Sequence, residues 1–318
     1  MIAWGINALN HGSSLAVFDN SRLIFNSVDK TRDNPHNLIS DAMLKGWEPD
    51  HIFWYENPWV KKARQIKAGQ YKTAFRLDNL PKHHLKKWGL SYASLRYTPH
   101  HASHAAAGYY TSPFNHCAIV VLDAIGEFEC ATIWEGQHGE MKKVWSRSYP
   151  HSLGLFYSAF TQFIGLTPIK DEHILQKMAE QGNPKQFLQY VRSYFDAGEL
   201  NCNTNFHRGV LHWDLNKLNT LQEQCDLAAA VQQVFEEQVQ GIMLKAKQLT
   251  NADSLVYMGG CAMNSAANKN VVEPMFKYRW SLPDPGDPSS SLGAVLYHTK
   301  QRIRKDDWRP VKHIEINV

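Results

Sequence analysis

Apolar and polar positions alternate from the start of the chain. The stretches "AWGINAL" (3–9), "LAVF" (15–18) and "LIFNSV" (23–28) read as strands separated by the turns "NHGSS" and "DNSR". The pattern returns in "CAIVVLD" (117–123), "CATIWEG" (130–136) and "MKKVWSRS" (141–148), around the turns "AIGEFE" and "QHGE". Two matching units of strand, Gly-containing turn and strand predict a duplicated architecture in which each lobe aims a phosphate-sized turn at a shared cleft. Ser13 and Gly126 lie in these turns and are candidate cofactor contacts. A β-meander also occurs without duplication, so the alternation alone leaves both arrangements open.

The region between the units reads as mostly helical. After the second unit, "HSLGLFYSAFTQFIGL" (151–166) carries an apolar face at helical spacing, and Gly182-Asn183-Pro184 punctuates a loop. "LQEQCDLAAAVQQVFEEQVQGIMLKAKQLT" (221–250) is the longest amphipathic helix. It feeds "SLVYMGG" (254–260), a buried-type strand ending in two glycines, and then "CAMNSAANKN", which should start a helix. "LPDPGDPSSSLGAVLYHTKQRIRK" ends the core as a turn running into a helix, with no further domain expected after it. The predicted lobes are 1–115, with the basic helical region, and 116–318, with the nucleotide site.

At 318 residues and 43% hydrophobic content, the chain can bury a core large enough for two lobes. No run approaches the ~18 apolar residues of a spanning helix, and "MIAWGINALNHGSS" lacks the form of a signal peptide; a cytoplasmic protein without membrane contact is expected. Cys117, Cys130, Cys202, Cys225 and Cys261 are odd in number and contain no CxxC pair, which predicts buried thiols in a reducing compartment. The net charge of +4 is uneven: residues 1–115 hold 14 Lys+Arg against 8 Asp+Glu, leaving 20 against 22 for the rest. Nine of these cations and one acid fall within 61–88, interleaved with Tyr71, Phe75 and Trp88. A solvated basic face has this composition, and so does a surface that meets a polyanion.

The densest chemistry lies in "TPHHASHAAAGYYTSPF" (98–114). Thr98 is placed to cap a helix whose first position is Pro99. On that helix His100 and His104 project from one face and can reach one ion, while His101 points about 100° away. Alone, such a pair is also a common surface or interface feature. Asp123 ends an apolar strand, where a buried carboxylate needs compensation, and Asp287 begins a helix. Each has a plainer alternative, Asp123 as a turn residue and Asp287 as an N-cap before Pro288. Gathered between lobes, the four make a mixed N/O site for a redox-capable or Lewis-acid metal. Gly259 and Gly260 offer a strand end where backbone approaches a ligand, with tight strand and helix packing as the equal alternative.

Taken together, these segments resemble the O-carbamoyltransferase family, which includes the tobramycin, nodulation-factor and cephalosporin carbamoyltransferases. "HHASHAAAGYYTSPF", "VVLDAIGE", "SLGLFYSAFTQFIG", "DLAAAVQQVFEEQV", "GGCAMNSAAN" and "PDPGDPSSSLGA" are similar to that family's motifs and occur in the same order over nearly the whole chain. The resemblance implies an α/β fold of two duplicated ribonuclease-H-like lobes, of the actin, sugar kinase and Hsp70 type. It implies a divalent metal, iron being expected, on His100, His104, Asp123 and Asp287. It places ATP or carbamoyl adenylate against Gly259, Gly260, Asn264 and Asn268, and His11 beside the carbamoyl or phosphate group. The implied reaction moves a carbamoyl group, supplied as carbamoyl phosphate and activated as carbamoyl adenylate, to an acceptor hydroxyl whose proton goes to His11 or His101.

Three departures stand out. The YrdC-like domain that makes carbamoyl adenylate in family members is not in this sequence, so either a separate YrdC-like protein supplies the adenylate or these lobes use carbamoyl phosphate and ATP unaided. "EHILQKMAEQG" has Ile174 where the family has lysine and Gln176-Lys177 for Met-Gly; Gly12 stands where Asp is usual. The basic stretch 61–88 and a second run, "KQRIRKDDWRPVKH", favour a polyanionic acceptor, specifically a hydroxymethylated pyrimidine such as 5-hydroxymethylcytosine in DNA. Small-molecule or sugar hydroxyls, threonylcarbamoyl-type transfer to tRNA and a non-catalytic nucleotide-binding partner protein are the alternatives; the HxEGH pattern expected for tRNA transfer is absent.

Overall fold

A computed structural model describes residues 1–196, 200–211, 213 and 218–303. Strands β1 (Ile2–Asn7), β2 (Ser13–Asp19) and β3 (Arg22–Asp29) form an antiparallel meander. Two parallel strands, β4 (His51–Trp54) and β5 (Ser94–Tyr97), extend it beyond β1, giving the order β3-β2-β1-β4-β5. The second sheet repeats the plan. Its meander is β6 (His116–Gly126), β7 (Glu129–Gln137) and β8 (Glu140–Ser148), and its parallel extension is β9 (Ser254–Met258) and β10 (Tyr278–Trp280), in the order β10-β9-β6-β7-β8. The duplication predicted from the two meanders is present, in an α/β fold. The strands β4, β5 and β10 inside or beside the helical regions were not predicted, being four, four and three residues long and too short to show a period.

The two halves exchange a helix. The histidine helix (His100–Thr111) follows β5 of the first sheet but packs on β6, β7 and β9 of the second. The closing helix (Ser290–Thr299) follows β10 of the second sheet but packs on β1, β2 and β4 of the first. A cut at 115/116 therefore separates the sheets and leaves one helix of each half on the other's sheet. Where the two helices meet, a Cβ at Gly293 would stand 1.7 Å from the carbonyl oxygen of Ser103. Thr98 does not cap the histidine helix as expected. Pro99 takes that position, and Thr98 Oγ1 instead donates to the carbonyl of Ala294 at 3.1 Å, tying the two helices together.

Layers run from the first sheet through the closing helix and histidine helix to the second sheet and its outer helices. Strand β6 serves both sides by alternation: Cys117, Ile119 and Val121 enter the core between the sheets, while Ala118, Val120 and Leu122 enter the outer core. The outer core is closed by the helices Leu153–Phe163 and Leu221–Thr250, the latter started by a capping box between Thr220 and Glu223. All five cysteines are free and buried. Among the described residues no helix is long and apolar enough to cross a membrane.

Replacing Gly293 by Ala is expected to destabilise the fold by about 3 kcal/mol or more, because backbone stands where the methyl would go. Gly241→Ala, in the middle of a helix with open space around it, should instead stabilise by up to about 1 kcal/mol. Denaturant melts of the two variants check both signs, and equal effects would show that the helix crossing is loose.

Candidate metal centre

The exchanged helices bring four side chains to one point. Nε2 of His100 and Nε2 of His104 lie 3.0 Å apart. Asp123 Oδ2 is 3.0 Å from the first and 3.5 Å from the second, and Asp287 Oδ1 is 3.3 and 3.4 Å from them. Ligands about 2.1 Å from an ion stand about 3.4 Å apart at the corners of a regular tetrahedron, and these five separations lie near that value. The ligand atoms all lie within 4.8 Å of one another. Both imidazoles are buried, whereas the Asp123 and Asp287 side chains are 14% and 17% exposed. The cage is open only on its carboxylate side.

Local structure aims each ligand. One helical turn separates the histidines, and Ser290 at the start of the closing helix lies 3.4 Å from Nδ1 of His104. Asp123, at the frayed end of β6, accepts hydrogen bonds at Oδ1 from the amides of Ala124 (2.8 Å) and Gly260 (3.3 Å), which leaves Oδ2 for the cage. Asp287 opens a 3-10 turn before the closing helix, but Gly286 takes the cap position and the carboxylate points to the histidines. Burial opposes charge on His100 and His104, yet Asp287 and Asp123 outweigh it and raise both imidazoles. Burial likewise works to raise Asp123 and Asp287, and the histidines hold both below the usual carboxylate range. Such a cluster favours bound positive charge, whether protons or a metal that displaces them.

The other predicted residues fall into different places. His101 is fully buried, bonded at Nδ1 to Thr132 Oγ1 at 3.0 Å and kept neutral by burial, while its buried Nε2 has no hydrogen-bond partner among the described residues. His11 is exposed on the loop between β1 and β2, and Ser13 behind it is buried with its hydroxyl unpartnered. Gly126 packs against the histidines rather than opening to an anion: a Cβ there would lie 2.3 Å from Cδ2 of His100. Gly259, at φ +90°, fits under the carbonyl of Leu122, and Gly260 orients Asp123. Asn264 is spent on Gln232, with which it exchanges two hydrogen bonds of 3.0 Å, and on the amide of Ala267; direct adenosine contact by its amide is therefore corrected to a supporting role. Asn268 donates to the carbonyl of Ala262 and keeps a buried, unpartnered Oδ1.

Several residues around the cage carried no sequence signal that was used. Tyr55 and Glu56 follow β4, and the Tyr55 ring meets His100 edge-on at 5.4 Å. Buried polar atoms without partners gather at the ends of the first sheet: both side-chain atoms of Asn7, the hydroxyls of Ser13, Ser14 and Tyr55, and Ser291 on the closing helix beneath β1. Buried polar groups are nearly always bonded, so this concentration marks space shaped for a polar ligand or water. Glu127, in the turn after β6, is buried as well. The available clue was position, since ligand groups in parallel sheets collect beyond the carboxyl ends of strands.

The basic stretch is less free than its composition suggested. Lys62 is buried and donates to the carbonyls of Ala74 and Arg76 and to Asn79; Arg64 is buried and donates to the carbonyl of Glu127. Lys61 pairs with Glu56, and Arg76 with Asp78. Lys67, Lys72, Lys82, Lys86 and Lys87 remain exposed without an acidic partner among the described residues, near exposed Trp59, Tyr71 and Phe75. In the second run, Lys300 pairs with Glu140 and Arg302 binds the carbonyls of Ser112 and Phe114; residues 304–313 lie outside the described residues.

Two ribonuclease-H-like sheets with a His2Asp2 cage at their junction define an actin-like, two-lobed protein. Residues 39–296 match the family described as the carbamoyltransferase N-terminus, and the chain belongs to that family. Similar proteins include an uncharacterised protein of Synechocystis sp., 29% identical over 238 residues (67% of this chain, 39% of that protein). Nodulation protein NolNO of Sinorhizobium fredii is 23% identical over 235 residues (68% of this chain, 34% of that protein). The chain thus spans well under half the length of these relatives. Full-length HypF in its phosphate- and nucleotide-bound form shares the fold with a TM-score of 0.50 and 10% identity, over 94% of this chain and 55% of that one. Component A of the Acidaminococcus fermentans (R)-2-hydroxyglutaryl-CoA dehydratase does so with a TM-score of 0.50 and 11% identity, over 94% and 99%.

Cobalt(II), whose visible spectrum reports tetrahedral coordination, is expected to bind the wild-type chain at a single site. His104→Ala and Asp287→Asn should each weaken binding by more than the roughly 100-fold that loss of a supporting partner costs, and His101→Gln should not. Undiminished cobalt binding by the two ligand variants would remove the site.

Proposed function

We propose that this chain is an O-carbamoyltransferase that moves a carbamoyl group from carbamoyl phosphate, by way of carbamoyl adenylate, to an acceptor hydroxyl. One observation carries the reading: the four-residue cage sits between the lobes of a chain belonging to the carbamoyltransferase N-terminus family. A divalent ion, iron by the family resemblance, held by His100, His104, Asp123 and Asp287, would supply Lewis acidity for the carbamoyl carbonyl. The rest of the work falls to the chain's own groups. The unpartnered atoms of Asn7, Ser13, Ser14 and Tyr55 offer hydrogen bonds to the planar carbamoyl group and to phosphate. The strand end at Gly259 and Gly260, with Asn268 beyond, is the region for the nucleotide, in keeping with the phosphate- and nucleotide-bound HypF. Closing the lobes excludes water, the competing acceptor.

For the acceptor, the exposed lysines and aromatics of 59–88 support a hydroxymethylated pyrimidine in DNA, with phosphates on Lys67, Lys72, Lys82, Lys86 and Lys87 and bases on Trp59, Tyr71 and Phe75. The base would be flipped or single-stranded to reach a cage that opens on one side only. Incubating the protein with Fe(II), ATP, carbamoyl phosphate and hydroxymethylcytosine DNA, with and without a YrdC-like protein, should add about 43 Da to the modified nucleoside, the mass of carbamoyl replacing hydrogen. Gain on a small-molecule hydroxyl alone would keep carbamoyl transfer and discard DNA. No gain on any hydroxyl would discard the transfer itself.

A further inference from the structure

Glu127 is a buried carboxylate that nothing above employs, and four features set it apart. It stands at φ +60°, left-handed backbone that L side chains rarely adopt, in the turn that carries β6 past the cage. Its neighbour Gly126 is wedged against the rings of His100 and His101, which fixes the turn beside the metal centre. The other lobe holds the turn in place: Glu127 Oε1 accepts from the backbone amide of Asn57, and its carbonyl accepts from Nε of Arg64 at 3.2 Å. Finally, Glu56 is the other buried carboxylate at this junction, and it is neutralised by Lys61 at 2.7 Å, whereas Glu127 has no cationic side chain on its carboxylate among the described residues.

From this geometry we propose that Glu127, rather than His11 or His101, is the general base that takes the proton of the acceptor hydroxyl. The inference rests on the carbamoyl-transfer reading. In the step, the acceptor O–H proton passes to the Glu127 carboxylate and the oxygen forms a bond to the carbamoyl carbon. The bond from that carbon to the bridging oxygen of the mixed anhydride breaks, and AMP or phosphate leaves with the electron pair. Two buried carboxylates with unlike surroundings divide roles in this way: one is paired with a lysine, the other carries no cationic partner among the described residues.

The charged and polar groups facing Glu127 agree. Burial raises its pKa to about 7, with Glu56 and Glu129 adding to the rise and the Asn57 amide and His100 opposing it. A carboxylate of this kind is half deprotonated near neutral pH, where a general base works best.

The test compares wild type with Glu127→Gln on two nucleophiles: a hydroxyl acceptor, which must lose its proton, and hydroxylamine, whose neutral nitrogen attacks without a base. The variant should lose about 10²- to 10⁴-fold in transfer to the hydroxyl, with the KM for the carbamoyl donor unchanged. Transfer to hydroxylamine should persist at the wild-type rate. The wild-type rate with the hydroxyl should rise with pH through about 7 as Glu127 deprotonates, and the residual rate of the variant should lack that rise. Equal loss on both nucleophiles would overturn the assignment in favour of a purely structural turn, as would an undiminished rate with the hydroxyl. A wild-type chain that carbamoylates neither nucleophile removes the transfer reading itself, and the base with it.

Discussion

Contact between two exchanged helices governs everything else in this molecule. Each half of the chain sends a helix across to the other's sheet, and at the meeting point the backbone of Ser103 occupies the space a side chain at Gly293 would need. That closeness sets the separation of the helix starts. His100 and His104 open one helix and Asp287 precedes the other, so ligands nearly 190 residues apart reach bonding distance of one point. Asp123, at the end of the strand on which the histidine helix lies, completes the set. The fold fixes the site by backbone contact, which is stiff, rather than by loops, which are not.

The same arrangement explains the electrostatics. Two carboxylates and two imidazoles under the core would be costly if any stood alone. They are tolerated because each offsets another and because backbone amides hold Asp123 from behind. The imidazoles are the enclosed members of the set and the carboxylates the more exposed ones, so the compensated negative charge lies toward solvent. Lone polar groups at the ends of β1 and β2 face the same region, and a planar group with donors and acceptors on its edge is the kind of molecule that satisfies them.

Much of this was legible in the sequence, for identifiable reasons. Both meanders announced themselves as apolar runs of strand length separated by turns rich in Gly, Asn and Asp. The helix Leu221–Thr250 was legible through its amphipathic spacing. His100 and His104 were legible because helical geometry converts spacing into direction; Asp123 and Asp287 were candidates by position and became a set only through the family resemblance. Tyr55 and Glu56 were hidden behind β4, whose four residues show no period. Thr98 was misread because a threonine before a proline looks like a cap, while its real partner, Ala294, is 196 residues away. Long-range pairing of this kind has no local signature.

The basic segment shows how composition and structure divide the question of partners. Nine cations in 28 residues suggested one electrostatic face, but a cation whose hydrogen bonds are already made cannot hold a phosphate. Lys62 spends its donors on the carbonyls of Ala74 and Arg76, and Arg64 donates to the turn beside the His2Asp2 cage. These two are scaffold: they fix the loop that presents Phe75 and the turn that presents Glu127. Of the exposed lysines that remain, Lys67 lies on the same helix as the buried two, whereas Lys82, Lys86 and Lys87 lie on the separate helix Pro81–Lys87. Charge on this segment therefore falls into two layers, an inner one whose hydrogen bonds hold backbone in place and an outer one exposed to solvent, and only the outer layer should respond to salt.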